Sequence, residues 1–204
     1  MRNILDVSPV IPVVVLDDAA AAVPLARALV EGGVAIIEVT LRSPAALDAV
    51  RAIADAVPEI LVGAGTVCSP AQVKAAAGAG AGFLVSPGST DRLLDAFEDS
   101  GLPFLTGTAT PSDMLRLQER EIHVAKLFPA TAVGGTALLA AVYGPLPHLR
   151  FCPTGGITAA TAPEFLALPN VGCVGGTWLT PRDRVAAADW PAITRLAQAT
   201  AALA

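Results

Sequence analysis

The sequence predicts a (β/α)₈ barrel. Short runs rich in Val, Ile and Leu recur along the whole chain, each the length of a buried strand. Ala-rich amphipathic stretches separate them, and such alternation calls for a parallel sheet covered by helices. The alternation repeats eight times within 204 residues, near the lower size limit of ~200 residues for a closed barrel. An open doubly wound sheet is the rival, but no GxGxxG follows the first apolar run. One domain over residues 1–204 is expected, because no linker, low-complexity tract or further repeat interrupts the pattern.

The first strand is expected near 10–16, where VIPVVVL is apolar throughout, as a strand buried on both faces requires. The helix after it, about 18–31, is closed by Gly32-Gly33. The β-branched run 36–40 is the second strand, and Ser43-Pro44 opens helix 44–56 with a cap residue followed by proline. The third strand, 61–63, leads to Ser69-Pro70 and helix 70–78. The fourth, 83–85, precedes helix 90–100, which ends at Gly101. The fifth, 104–106, precedes Thr110-Pro111 and helix 111–120. The sixth, 123–127, is followed by helix 134–142. The seventh and eighth, 150–154 and 173–175, are followed by helices 159–167 and 189–203.

Composition limits the partners. The residues are 53% hydrophobic but only 4% aromatic, so Ala, Val, Leu and Ile build the core. A net charge of −5 leaves no basic face for nucleic acid or an anionic membrane. Any phosphate must then be held locally, by backbone amides. The segment Met1-Arg-Asn-Ile-Leu-Asp6 lacks the apolar core of a secretory signal, and the run 10–16 is too short to span a bilayer. A cytoplasmic location is expected. Cys68, Cys152 and Cys173 lack CxxC spacing and read as reduced thiols, small buried hydrophobes.

Among the 13 cationic side chains only Lys74 and Lys126 are lysine. Lys74 lies on a helical surface pattern where any cation would serve. Lys126 interrupts the apolar strand His123-Val-Ala-Lys-Leu-Phe-Pro129. A buried lysine without a partner must give up its charge or take on chemistry, and only an amine, never a guanidinium, can attack a carbonyl. The structural alternative is a stem that snorkels from the strand end.

Barrel enzymes place chemistry at the C-terminal strand ends, and the polar residues collect there. Period two puts Ile36, Glu38, Thr40 and Arg42 on one face of the second strand. Glu38 and Lys126 are the charged groups inside the predicted strand cores. They could form a structural ion pair, but buried pairs add little net stability, so inward charges on separate strands point to function. Arg42 alone would be an ordinary loop arginine; beside Glu38 and Thr66 it becomes a fork for a substrate carboxylate. Gly155-Gly156 and Gly175-Gly176 end the seventh and eighth strands. They read as tight turns with positive φ or, with the Thr177 hydroxyl, as a phosphate cradle. The two histidines, His123 and His148, are placed for neither a metal site nor a Ser–His–Asp triad.

The runs GGVAIIEVTLR (32–42), VGAGTV (62–67), VSPG (85–88), KLFPA (126–130), FCPTGGI (151–157) and VGGTWL (174–179) together resemble the 2-keto-3-deoxy-6-phosphogluconate and 4-hydroxy-2-oxoglutarate aldolases. PVIPVVV at 9–15 and ATPSDM at 109–114 extend the likeness to essentially the whole chain. The resemblance implies a Schiff-base class I aldolase on a (β/α)₈ barrel, a homotrimer, with no metal or organic cofactor. It makes Lys126 the imine-forming lysine and Glu38 the proton shuttle. Arg42 and Thr66 grip the pyruvyl carboxylate; Pro87, Phe128 and Thr154 wall the pocket; Gly155, Gly156, Gly176 and Thr177 hold the distal phosphate. The chain departs from the family pattern at Thr177, where serine is frequent, and at Val15, where some relatives carry arginine. The other class of function is a phosphate-binding isomerase, synthase or ligand-binding barrel without imine chemistry. Lys126 separates the two, and C4 epimer preference stays open.

Overall fold

The computed structural model describes residues 3–203; Met1, Arg2 and Ala204, within the expected 1–204 domain, lie outside the described residues. The strands are β1 (Val10–Val14), β2 (Ile36–Thr40), β3 (Leu61–Gly65), β4 (Phe83–Val85), β5 (Phe104–Thr108), β6 (Val124–Leu127), β7 (Arg150–Pro153) and β8 (Val174–Gly176). The helices are α1 (Ala22–Glu31), α2 (Ala46–Ala56), α3 (Pro70–Gly78), α4 (Asp91–Ser100), α5 (Pro111–Glu119), α6 (Gly135–Tyr143), α7 (Ala162–Leu166), α8 (Arg182–Ala186) and α9 (Trp190–Ala201). All strand pairs are parallel, in the order β7-β6-β5-β4-β3-β2-β1-β8. Bridges from Phe151 to Val171 and from Thr154 to Gly175 join β7 to β8, closing the predicted barrel.

Continuous apolar runs make such strands because both faces are covered: every residue of β1, β2 and β4 is buried. Helix α4 shows how the outer layer attaches. Thr90 caps it, Leu93, Leu94 and Phe97 face inward, and Gly101 ends it at φ 66°. The Phe97 ring stacks on Phe104 with centroids 5.1 Å apart, and burial of such a ring contributes ~1.5–3 kcal/mol. Ser69 caps α3, and Thr110 with Asp113 forms a capping box on α5.

The other boundaries moved for local reasons. Strand β1 stops at Val14, two residues short of the expected 10–16. The Thr40 hydroxyl donates to the Val14 carbonyl at 2.9 Å, and the Ser43 hydroxyl donates to that of Leu16. Ser43 is therefore a clasp between the first two loops and not a helix cap; α2 starts at Ala46 without a side-chain cap. Helix 18–31 opens as a 3₁₀ turn, Ala19–Ala21, capped by Asp18. Helix 159–167 shrinks to Ala162–Leu166, since Thr158 and Thr161 hydrogen-bond each other's backbone N–H and compete with helix formation. Three elements were not expected from the sequence: α8, the 3₁₀ turn Thr131–Val133, and the 3₁₀ turn Ile4–Asp6, which packs Leu5 on Gly172 and pairs Asp6 with Arg150 at 2.9 Å. Cys152 and Cys173 are buried as expected, but Cys68 is exposed.

Candidate active site

Strands β2 and β6 stand four places apart in a ring of eight, so their inward side chains face each other across the barrel axis. Glu38 comes from the middle of β2 and Lys126 from β6. They meet there: Lys126 Nζ donates to Glu38 Oε1 at 3.3 Å, with side chains only 6% and 4% exposed. The lysine is thus buried, as expected, but it has a partner. The Phe128 ring lies 5.3 Å from Nζ and adds a cation–π contact. On the neighbouring strand Gly107 is in register with Lys126. A Cβ on Gly107 would sit 2.1 Å from the Pro87 carbonyl oxygen, so only glycine lets the loop after β4 fold over this strand. That packing sets Pro87 close to the lysine strand.

The loops after β2 and β3 bring the second predicted pair together. Arg42 Nε donates to Thr66 Oγ1 at 3.0 Å. Thr66 is held at φ 58°, a left-handed conformation that costs a non-glycine residue ~1–3 kcal/mol. The exposed Arg42 keeps its remaining guanidinium donors directed at solvent-accessible space, where a carboxylate could be gripped in bidentate fashion.

The two glycine pairs do different jobs. Gly155 and Gly156 have φ 103° and 77°, as a tight turn requires. Gly175 and Gly176 have no positive φ and belong to β8. Their lack of side chain is a packing need: a Cβ on Gly175 would lie 2.2 Å from Thr154 Oγ1, and one on Gly176 2.0 Å from the Trp178 indole. This corrects the expectation of two equivalent turns. The Thr154–Gly175 bridge sets the two loops side by side. Among the described hydrogen bonds, the N–H groups of Gly155, Gly156 and Thr177 donate to no protein acceptor. Free backbone donors on two adjacent loops are of the kind that bind an oxyanion.

A cavity of about 680 Å³ opens beside Arg42 and Thr177 and is also lined by Val15, Asp17, Thr180 and Arg182. Arg182, on α8, escaped the sequence reading because its segment carries no periodicity. It places a second cation, beside Arg42, on the wall of the cavity that Thr177 lines. The Thr180 hydroxyl is buried without a hydrogen-bond partner. Gly65 also escaped, although a glycine inside a strand is a known mark of close approach. A Cβ there would lie 2.1 Å from Glu38 Oε1. Among the described residues no group of three His, Cys, Asp or Glu side chains could hold a metal ion.

The family model for KDPG and KHG aldolases matches residues 1–196. The chain belongs to the KDPG and KHG aldolase family. It is 47% identical to the KHG/KDPG aldolase of Escherichia coli over 97% of this chain and 92% of that protein. It is 46% identical to the 2-dehydro-3-deoxy-phosphogluconate aldolase of Pseudoalteromonas atlantica, with the same coverage. Among solved structures, the Legionella pneumophila KDPG aldolase, which holds pyruvate as a covalent carbinolamine, superposes with a TM-score of 0.95 at 42% identity. That match covers 97% of this chain and 96% of the other. The Zymomonas mobilis enzyme with 3-phosphoglycerate superposes at 0.93 with 39% identity, over 98% and 94% of the two chains. The chain therefore shares its barrel with both of these enzymes.

Proposed function

We propose that the chain is a class I aldolase that cleaves 2-keto-3-deoxy-6-phosphogluconate to pyruvate and glyceraldehyde 3-phosphate through an imine on Lys126. Cleavage of 4-hydroxy-2-oxoglutarate is its companion activity. The observation that carries the proposal is the buried contact of 3.3 Å between Lys126 and Glu38. Glu38 takes a proton from the ammonium, and the neutral amine attacks the C2 carbonyl. Glu38 returns that proton to the alkoxide, takes a second proton from the carbinolamine nitrogen and passes it to the hydroxyl, so that water leaves and the iminium forms. Removal of the C4 hydroxyl proton breaks the C3–C4 bond, and its electron pair flows into the iminium to give an enamine. Glyceraldehyde 3-phosphate departs, C3 is protonated, and water hydrolyses the imine to release pyruvate and restore the amine. One carboxylate within hydrogen-bond reach of the amine is placed for successive proton transfers.

Arg42 and Thr66 hold the C1 carboxylate in this proposal, and Pro87, Phe128 and Thr154 wall the reacting carbons. Gly155, Gly156, Gly176 and Thr177 receive the phosphate. The free N–H groups of Gly155, Gly156 and Thr177 support that role, with Gly176 contributing the close approach of β8. No helix among the described residues is long and apolar enough to cross a membrane; we propose a cytoplasmic homotrimer, whose mass by light scattering should be three times that of the chain. Borohydride reduction in the presence of pyruvate tests the chemistry. A pyruvyl adduct on the peptide containing Lys126 is expected. An adduct on Lys74, or none, removes the assignment.

A further inference from the structure

Strand β3 ends in Gly63-Ala-Gly65, and the last glycine lies beneath the Glu38 carboxylate. A Cβ on Gly65 would be 2.1 Å from Glu38 Oε1 and 2.6 Å from both Cδ and Cγ. The whole end of the Glu38 side chain therefore rests on the Gly65 Cα. Gly65 has no positive φ, so the residue is not glycine for the sake of its backbone conformation.

The backbone has no freedom to give way. Strands β2 and β3 are in continuous register from Ile36 with Leu61 to Thr40 with Gly65, and the Leu41 N–H donates to the Gly65 carbonyl at 2.8 Å. Any side chain at 65 must be accommodated by Glu38. Its carboxylate would retreat by more than ~1 Å to restore an ordinary contact of about 3.5 Å. Glu38 is 3% exposed and already spans the barrel to Lys126, so that retreat changes its distance to the amine. The residue after Gly65 is Thr66, which carries the hydrogen bond to Arg42. One dipeptide at the end of β3 thus serves both the carboxylate that faces the lysine and the fork beside it.

We propose that Gly65 is a positioning residue: its missing side chain creates the niche that holds Glu38 in proton-transfer range of Lys126. This inference rests on the proton-shuttle role assigned to Glu38 above. Gly65→Ala should lower kcat by ~10²-fold, the order expected when a catalytic group moves by about 1 Å. KM should change far less, and borohydride trapping of pyruvate on Lys126 should persist. Gly78→Ala, at a site where a Cβ meets nothing within 4 Å, is the control and should leave kcat unchanged.

Epistasis with Glu38 decides the matter. In a Glu38→Gln background, where the shuttle is already lost, Gly65→Ala should cost almost nothing further. Full kcat in Gly65→Ala, or an equal loss in both backgrounds, overturns the proposal. If Gly65→Ala does not fold, Glu38→Ala/Gly65→Ala carries the test, because it removes the three atoms that a Cβ would strike. Recovery of the fold in that pair supports the niche; continued failure overturns it. The same cycle separates this inference from the one beneath it. Near-normal turnover of Glu38→Gln alone would remove the shuttle role, whereas failure of Gly65 leaves that loss intact.

Discussion

Replacing Glu38 by Gln separates a catalytic carboxylate from a structural ion pair. At 3.3 Å, and with an effective dielectric of about 20, two unit charges attract by about 5 kcal/mol before desolvation is counted. Removing one partner of such a buried pair typically costs ~3–5 kcal/mol, because the other charge is left uncompensated. Each kcal/mol moves the midpoint of a chain of this size by ~2–4 °C. Glu38→Gln should therefore melt on the order of 10 °C below the parent and lose turnover by ~10²–10⁴-fold, the range for a general acid–base group. Glu38→Gln/Lys126→Met should regain much of the stability, since no unpaired charge is then buried, while remaining inactive. The assay is steady-state cleavage, with pyruvate release coupled to lactate dehydrogenase, run beside calorimetry on the same samples. Imine formation with pyruvate in Glu38→Gln should slow but stay trappable. Near-normal turnover accompanied by the full loss of stability would refute the reasoning and leave the pair with a structural role only.

The proposed phosphate site needs a different probe from glycine substitution, because bulk at Gly176 would strike the Trp178 indole and disturb the barrel generally. Thr177→Val and Arg182→Ala change exposed side chains on the cavity wall. Each should raise KM for the phosphorylated substrate by ~10-fold or more, the value of one charge-assisted hydrogen bond. Pyruvate trapping should be unchanged and 4-hydroxy-2-oxoglutarate cleavage less affected; equal losses on both substrates would dismiss the phosphate assignment. The hydrogen bond with Cys152 and full burial push the Cys173 thiol well above its ordinary range. Alkylation of the folded protein at about pH 8 should consequently label the exposed Cys68 and spare Cys173, and mass-spectrometric detection of early labelling at Cys173 would contradict this.

Local patterning settled much of this protein. Apolar runs of strand length, proline after a cap residue and glycine at helix ends are near-neighbour signals, and they located all eight strands to within two residues at either end. A lysine in an apolar strand and a glutamate on an inward face are equally local, so both were legible. Their meeting was not, since they are separated by 88 positions and touch only because closure of the sheet sets β2 opposite β6. The same non-locality hid Gly65. In sequence it is one more small residue in a Gly-Ala-Gly string, and it acquires a purpose when strand register slides it under a side chain from β2. Gly176 shows the reverse error: a glycine pair that reads as a turn is a strand end flattened by an indole. Helix α8, with Arg182 at its start, is too short to show a period and is set by the loop that closes the barrel. Residue type announces which groups can react; the closed sheet determines which of them share a few ångströms, because distances across a barrel depend on strand order and register and on no single stretch of chain.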